Sequence, residues 1–90
     1  DLRTLVPLDR GAILASVART TRAVVVHAAT QFAGPGAEIA SLIGHELFGE
    51  LSAPVERLGA VYSPIPYAAE LESLAFPERT RIAETIRALA

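Results

Sequence analysis

Ninety residues, 51% of them hydrophobic, with a formal net charge of −2, describe at most one ordinary globular domain. The charge is too small to indicate binding to nucleic acid or to an anionic membrane surface, so neither partner is expected. No cysteine is present, which excludes disulfides and thiolate metal sites. The longest apolar run, Ala23 to Ala29, is interrupted by His27 and is far shorter than a membrane-spanning helix.

The first predicted element is a helix from about Arg10 to Thr20. Asp9 precedes it and is a suitable N-cap, because a carboxylate there accepts hydrogen bonds from amides of the first turn. Its inward face is predicted from apolar residues at helical spacing: Ile13, Leu14 and Val17. A strand over Arg22 to His27 follows, since its β-branched run is typical of a buried strand.

A second helix is predicted from near Gly36, after a loop of small residues, to Leu51. Its apolar residues recur at helical spacing: Ile39, Leu42, Ile43, Leu47 and Leu51. Gly44 lies inside this helix at a cost of about 1 kcal/mol relative to alanine. We therefore expect another element to pack closely against Gly44.

The remaining elements are a strand over Val55 to Gly59, a loop to Pro66, a short helix over Tyr67 to Leu74, and a last helix. Pro77 opens this last helix, and its apolar stripe comprises Ile82, Ile86 and Leu89. Strands alternating with helices predict an α/β fold with a parallel sheet. Because a two-stranded sheet is marginal by itself and the chain starts at Asp1, we expect a fragment that lacks upstream sequence.

Two histidines are candidates for chemistry. His27 is predicted at the end of a strand, where open α/β sheets place groups that face a ligand, but a hydrogen-bonded structural histidine is the favoured interpretation. His45-Glu46 resembles the start of a zinc-binding H-E-x-x-H helix, yet Gly49 stands where the second histidine must be. His45 is therefore expected to be a solvated helix position.

No other motif predicts an active site. The loop Ala33-Gly34-Pro35-Gly36 lacks the spacing of a phosphate-binding loop, and Pro35 has no amide to donate, so a tight turn is expected. No G-x-S-x-G motif is present. The carboxylates spaced four residues apart are interpreted as a solvated helix face: Glu38, Glu46 and Glu50. We predict no catalytic, cofactor-binding or metal-binding residue.

Six short motifs occur in order along the chain: Asp1-Leu2-Arg3-Thr4-Leu5, Pro7-Leu8-Asp9, Val24-Val25-Val26-His27, Gly36-Ala37-Glu38-Ile39, Ala53-Pro54-Val55 and Pro64-Ile65-Pro66-Tyr67. Their order and spacing resemble the carboxy-terminal part of the beta subunit of a thiamine-diphosphate-dependent 2-oxo acid dehydrogenase. This family comprises the decarboxylating components of the pyruvate and branched-chain 2-oxo acid dehydrogenase complexes.

The resemblance implies a three-layer α/β/α transketolase C-terminal domain. Residues 1–90 would be the carboxy-terminal part of one such domain, and its first strand, first helix and most of its second strand would precede Asp1. The implied role is assembly: the domain would hold a second beta subunit, in a heterotetramer with alpha subunits, and help to dock the acyltransferase core. The whole enzyme would oxidatively decarboxylate pyruvate or branched-chain 2-oxo acids and pass acyl groups to lipoyl groups.

The resemblance places thiamine diphosphate and magnesium between the alpha subunit and the beta subunit's amino-terminal domain. The fragment itself is therefore expected to bind neither cofactor and to be inactive. The cytoplasm of a bacterium is the expected location, since an alanine-rich chain whose basic residues are all arginine is typical of a GC-rich genome.

The chain departs from the family's pattern at several positions. Ala28 replaces a usual glutamate, and Ser52 and Tyr62 stand where an acidic residue is common, which weakens an acidic docking surface for a basic acyltransferase. Two alternatives remain: the terminal domain of another thiamine diphosphate enzyme, such as transketolase or deoxyxylulose-phosphate synthase, or a freestanding interaction module.

Three aromatic residues are predicted as anchors of a subunit interface: Phe48, Tyr62 and Tyr67. The opposing interpretation is that these rings fill the core of the chain itself.

Overall fold

The computed structural model describes residues 1–62 and 75–90. The elements there are α1 (Arg10–Thr20), β1 (Val24–Thr30), α2 (Pro35–Glu46), β2 (Glu56–Ala60) and α3 (Arg79–Leu89). β1 and β2 pair in parallel, and α2 provides the crossover that two parallel neighbours require. The predicted α/β fold is thereby confirmed. The predicted helix over Tyr67 to Leu74 lies outside the described residues.

Helix α1 has the predicted bounds, and Asp9 caps it. The Asp9 carboxylate accepts a hydrogen bond from the Ala12 amide at 3.1 Å. The helix ends at Thr21, whose φ of 61° is left-handed. The Thr21 carbonyl accepts the Ser52 amide at 2.8 Å, and the two hydroxyl oxygens lie 2.7 Å apart. These bonds fix the segment before β2 to the end of α1.

The core lies between α1, α2 and one face of the sheet. Its buried residues are those with the predicted helical spacing: Ile13, Val17, Ile39, Ile43 and Leu47. Val25 of β1 and Val55 just before β2 are half-buried against this cluster. Ile43 is the most deeply buried of the cluster, with 2% of its surface exposed. The apolar periodicity therefore identifies the inward faces of both helices correctly.

The opposite face of the sheet carries Val26 and its register partner Leu58, which is 5% exposed. Helix α3 contacts β1 but contributes no residue to the α1–α2 core, which is consistent with a layer on this second face. No residue of α3 is buried, and Ile86 of its predicted stripe is 51% exposed. α3 begins at Arg79 with Glu78 as its N-cap, later than Pro77 indicates.

The strand bounds differ from the predicted ones because strand pairing decides them. β1 extends to Thr30, beyond the predicted end at His27, since Thr30 pairs with Ala60. The register is irregular between Val26 and Thr30, so His27 lies where the regular ladder breaks, within the strand and not at its end. β2 is displaced by one residue from the predicted span and ends at Ala60.

Helix α2 ends at Glu46, whereas the apolar spacing predicts a helix that continues to Leu51. A turn follows, and Gly49 within it has a φ of 90°, a conformation that glycine adopts without strain. Leu47 and Leu51 still contact the core although they lie beyond the helix. The expectation of a close neighbour at Gly44 is wrong: a Cβ added there meets no described atom within 4 Å.

Candidate functional site

The carboxyl ends of β1 and β2 lie side by side and are held together by contacts just past the strands. The Gln31 amide donates to the Ala60 carbonyl at 2.9 Å, and Arg57 Nη1 donates to the Gln31 carbonyl at 3.0 Å. A Cβ on Gly59 would lie 2.9 Å from both the Ala29 oxygen and the Gln31 nitrogen. Only glycine fits this approach, so the two following segments leave the sheet next to each other.

These two segments carry an exposed aromatic pair. The ring centroids of Phe32 and Tyr62 are 5.2 Å apart with an interplanar angle of 67°, the edge-to-face arrangement that aromatic pairs prefer. Phe32 is 67% exposed and Tyr62 76% exposed. Sequence reasoning does not single out Phe32. The available signal was a large ring in a loop of small and polar residues directly after a strand.

His27 joins β1 to the first turn of α2 through both ring nitrogens. The Gly36 amide donates to Nε2 at 3.0 Å, and Nδ1 lies 3.0 Å from the Ala29 carbonyl oxygen. Because a carbonyl can only accept, Nδ1 carries the proton and Nε2 is the acceptor, which assigns the neutral Nδ1–H tautomer. We call these two hydrogen bonds the His27 bridge. They support the structural interpretation of this histidine.

Two glycines make room for the His27 bridge. A Cβ on Gly36 would lie 2.5 Å from His27 Nε2 and 3.2 Å from Val25 Cγ1. A Cβ on Gly34 would clash with the Thr30 carbonyl oxygen and lie 3.1 Å from His27 Cε1. Both glycines are buried. The loop before α2 is therefore a tightly packed turn, as the sequence predicts.

The polar groups of this turn do not fit a diphosphate with its magnesium ion. At the start of α2, Pro35 has no amide hydrogen, Gly36 donates to His27, and the Ala37 amide donates to the Gly34 carbonyl. Thr30 Oγ1 donates to the Phe32 carbonyl at 2.9 Å. Within residues 1–62 and 75–90, no group of three or more His, Asp or Glu residues has the arrangement of a metal site.

The predicted interface anchors are not brought together. Phe48, 89% exposed, follows the end of α2, which runs back from the carboxyl ends of the strands, whereas Tyr62 lies at those ends. Their exposure shows that the alternative in which they fill the core is wrong for both residues. Tyr67 lies outside the described part of the chain. Whether Phe48 and Tyr62 anchor an interface stays a prediction.

The other candidate residues lie on the surface. His45 is exposed near the end of α2, as expected. Glu38 and Glu46 are exposed on α2, and Glu46 lies 3.5 Å from Arg10 in an exposed ion pair. Glu50 lies beyond the helix and does not extend their row. Among the helices of the described residues, none has the length and apolar character needed to cross a membrane.

Comparison with known proteins gives consistent results along nearly the whole chain. The model of the transketolase C-terminal domain matches residues 1–82. The chain is 45% identical over 87 residues, 97% of its length, to the pyruvate dehydrogenase E1 component subunit beta of Rickettsia conorii. It is 46% identical over 78 residues, 87% of its length, to a mitochondrial subunit beta-1 of the same component from Arabidopsis thaliana.

A relative named for a different 2-oxo acid is similar to the same degree. The chain is 44% identical over 79 residues, 88% of its length, to the 2-oxoisovalerate dehydrogenase subunit beta of Pseudomonas aeruginosa. The matched region is 27% of the Rickettsia protein, 22% of the Arabidopsis protein and 23% of the Pseudomonas protein. The chain thus spans about a quarter of the length of these curated relatives.

Proposed function

The chain belongs to the transketolase C-terminal domain family, and on that premise we propose that it is the assembly domain of the beta subunit of a 2-oxo acid dehydrogenase. The observation that carries this proposal is the alignment of nearly the whole chain with beta subunits of such dehydrogenases. Residues 1–90 then form part of one domain. Its role is to hold subunits together, in keeping with a candidate site whose polar groups bond to one another.

The proposed whole enzyme oxidatively decarboxylates a 2-oxo acid and transfers the acyl group to lipoyl groups of a multienzyme complex. The substrate class is 2-oxo acids, because relatives named for pyruvate and for 2-oxoisovalerate match the chain about equally. Thiamine diphosphate and magnesium serve this chemistry, and residues outside this chain hold them. The partners are a second beta subunit, alpha subunits and the acyltransferase core, in the cytoplasm of a bacterium.

Exposed aromatic residues support the assembly role. Phe48 and Tyr62 present large apolar rings to solvent, and such rings are enriched among residues that dominate binding at interfaces. A two-fold contact between beta subunits uses the same surface on both copies, so each ring would enter the contact twice. We propose Phe48 and Tyr62 as anchors, with Tyr67 as a third.

The test uses the complete beta subunit co-expressed with its alpha partner. We expect a heterotetramer by light scattering and 2-oxo acid decarboxylation that requires both subunits. Phe48→Ala with Tyr62→Ala should release a folded monomeric beta subunit. Val6→Ala, which trims another exposed apolar side chain, is the control and should leave the mass unchanged.

Two outcomes would count against this reading. An unchanged heterotetramer with the double variant would reject Phe48 and Tyr62 as anchors. Self-association without any decarboxylation in the presence of the alpha subunit would favour the freestanding interaction module.

Cofactor placement has its own test. Calorimetric titration of residues 1–90 with thiamine diphosphate and magnesium should give no saturable heat, because the amides at the start of α2 are already bonded. A micromolar isotherm would show that this segment holds the cofactor.

A further inference from the structure

We propose that the His27 bridge is a proton-sensitive element that fixes the loop carrying Phe32 only while the imidazole is neutral. The chemical basis is the assigned tautomer. Nε2 accepts the Gly36 amide and Nδ1 donates to the Ala29 carbonyl, so the neutral ring satisfies both partners. A ring protonated at both nitrogens is a donor twice over, and the Gly36 amide then faces another N–H.

The surroundings of the ring offer little compensation for a positive charge. The N-terminal end of α2 points its amides at His27, and that end carries partial positive charge. The carboxylate in the first turn of α2, Glu38, is exposed. On β2, Glu56 is exposed and the Arg57 guanidinium donates to the Gln31 carbonyl. In the described ranges, the ion pair within 4.0 Å joins Arg10 to Glu46 and does not include His27.

The second face of the sheet adds charge of mixed sign. Helix α3 contacts β1 and carries three arginines and one glutamate: Arg79, Arg81, Arg87 and Glu84. The half-buried His27 alternates along β1 with Val26, so α3 and the His27 ring are on opposite faces of the sheet. The sign of the effect follows directly. The bridge is present at higher pH, where the ring is neutral, and is lost as the pH falls through protonation of His27.

Release of the bridge reaches the exposed aromatic pair through a short segment. Phe32 lies between Thr30, which ends β1, and Gly36, whose amide the bridge holds. The other constraint on this segment is the pair of bonds at Gln31, which do not involve His27. Protonation therefore frees the stretch from Phe32 to Gly36 while the strands stay paired. The edge-to-face contact with Tyr62 is then lost.

Hydrogen–deuterium exchange of the complete protein, read by mass spectrometry on peptides spanning residues 32–39, tests this proposal. Labelling is done near pH 5 and near pH 8, on either side of the ordinary imidazole range, with times scaled for the intrinsic exchange rate. We expect scaled exchange of this peptide to be about tenfold faster at the lower pH, since one amide hydrogen bond is lost. Peptides from α1 are the internal reference.

Two variants separate His27 from the rest of the protein. His27→Gln keeps a side-chain oxygen that can accept the Gly36 amide but does not titrate, so the pH difference should vanish. His45→Gln removes the chain's other histidine, which is exposed, and should leave the pH difference intact. Equal scaled exchange at both pH values in the unmodified protein overturns the proposal, as does a pH difference that survives in His27→Gln. If His27→Gln does not fold, the unmodified protein and His45→Gln decide the outcome.

Discussion

Alanine at Gly36 should destabilise the protein, although alanine is the better helix former. Gly36 lies in the first turn of α2, and its added Cβ would lie 2.5 Å from His27 Nε2 and 2.8 Å from Cδ2. Overpacking of this kind costs about 1–3 kcal/mol. Moving the ring away instead leaves the Gly36 amide without its acceptor, at a cost of about 1–3 kcal/mol. Helix propensity returns at most about 1 kcal/mol.

The net loss should be about 2 kcal/mol of unfolding free energy, the difference between these effects. Gly44→Ala is a matched control, because the same change in the same helix meets no described atom within 4 Å. It should gain up to about 1 kcal/mol. Thermal unfolding followed by circular dichroism should then separate the two variants by roughly 10–20 °C for a domain of this size. Equal melting temperatures would refute the packing argument at His27.

Three further substitutions have defined outcomes in the same unfolding assay. Asp9→Ala should lose about 1 kcal/mol because the Ala12 amide loses its cap, and Asp9→Asn should recover most of that loss. Ile43→Ala should lose about 2–5 kcal/mol, since Ile43 is 2% exposed in the core, and a loss below about 1 kcal/mol would contradict this packing. Ala33→Gly should gain about 0.5–1 kcal/mol because Ala33 has a left-handed φ of 59°, and a destabilised variant would show that this conformation carries no strain.

Local signals in the sequence predict the start of α1 and the inward faces of the helices. Asp9 provides a cap, and Ile13 and Val17 repeat at helical spacing, so local structure and packing agree there. The same spacing overextends α2, because Leu47 and Leu51 contact the core from a turn and not from a helix. Periodicity records which residues are buried. It does not record the backbone that carries them.

Long-range contacts determine what the sequence does not predict. Ala28 and Ala29 have little strand propensity, and β1 continues through them because its end pairs with β2. Gly44 and Gly59 look alike in the sequence, yet Gly44 has open space and Gly59 lies against the backbone of β1. At the candidate site, the structural role of His27 is predictable from its place on an apolar strand. Its partner amide nine residues away is not.

The fit between His27 and Gly36 also constrains how this sequence can change over evolutionary time. A side chain at position 36 is tolerated only if position 27 becomes smaller, so a mutation that is harmful alone becomes acceptable after another has occurred. Neighbouring residues that share one space show such non-additive effects. The two positions should therefore vary as a pair among homologues, and the order in which the two substitutions arise should determine which evolutionary paths remain open.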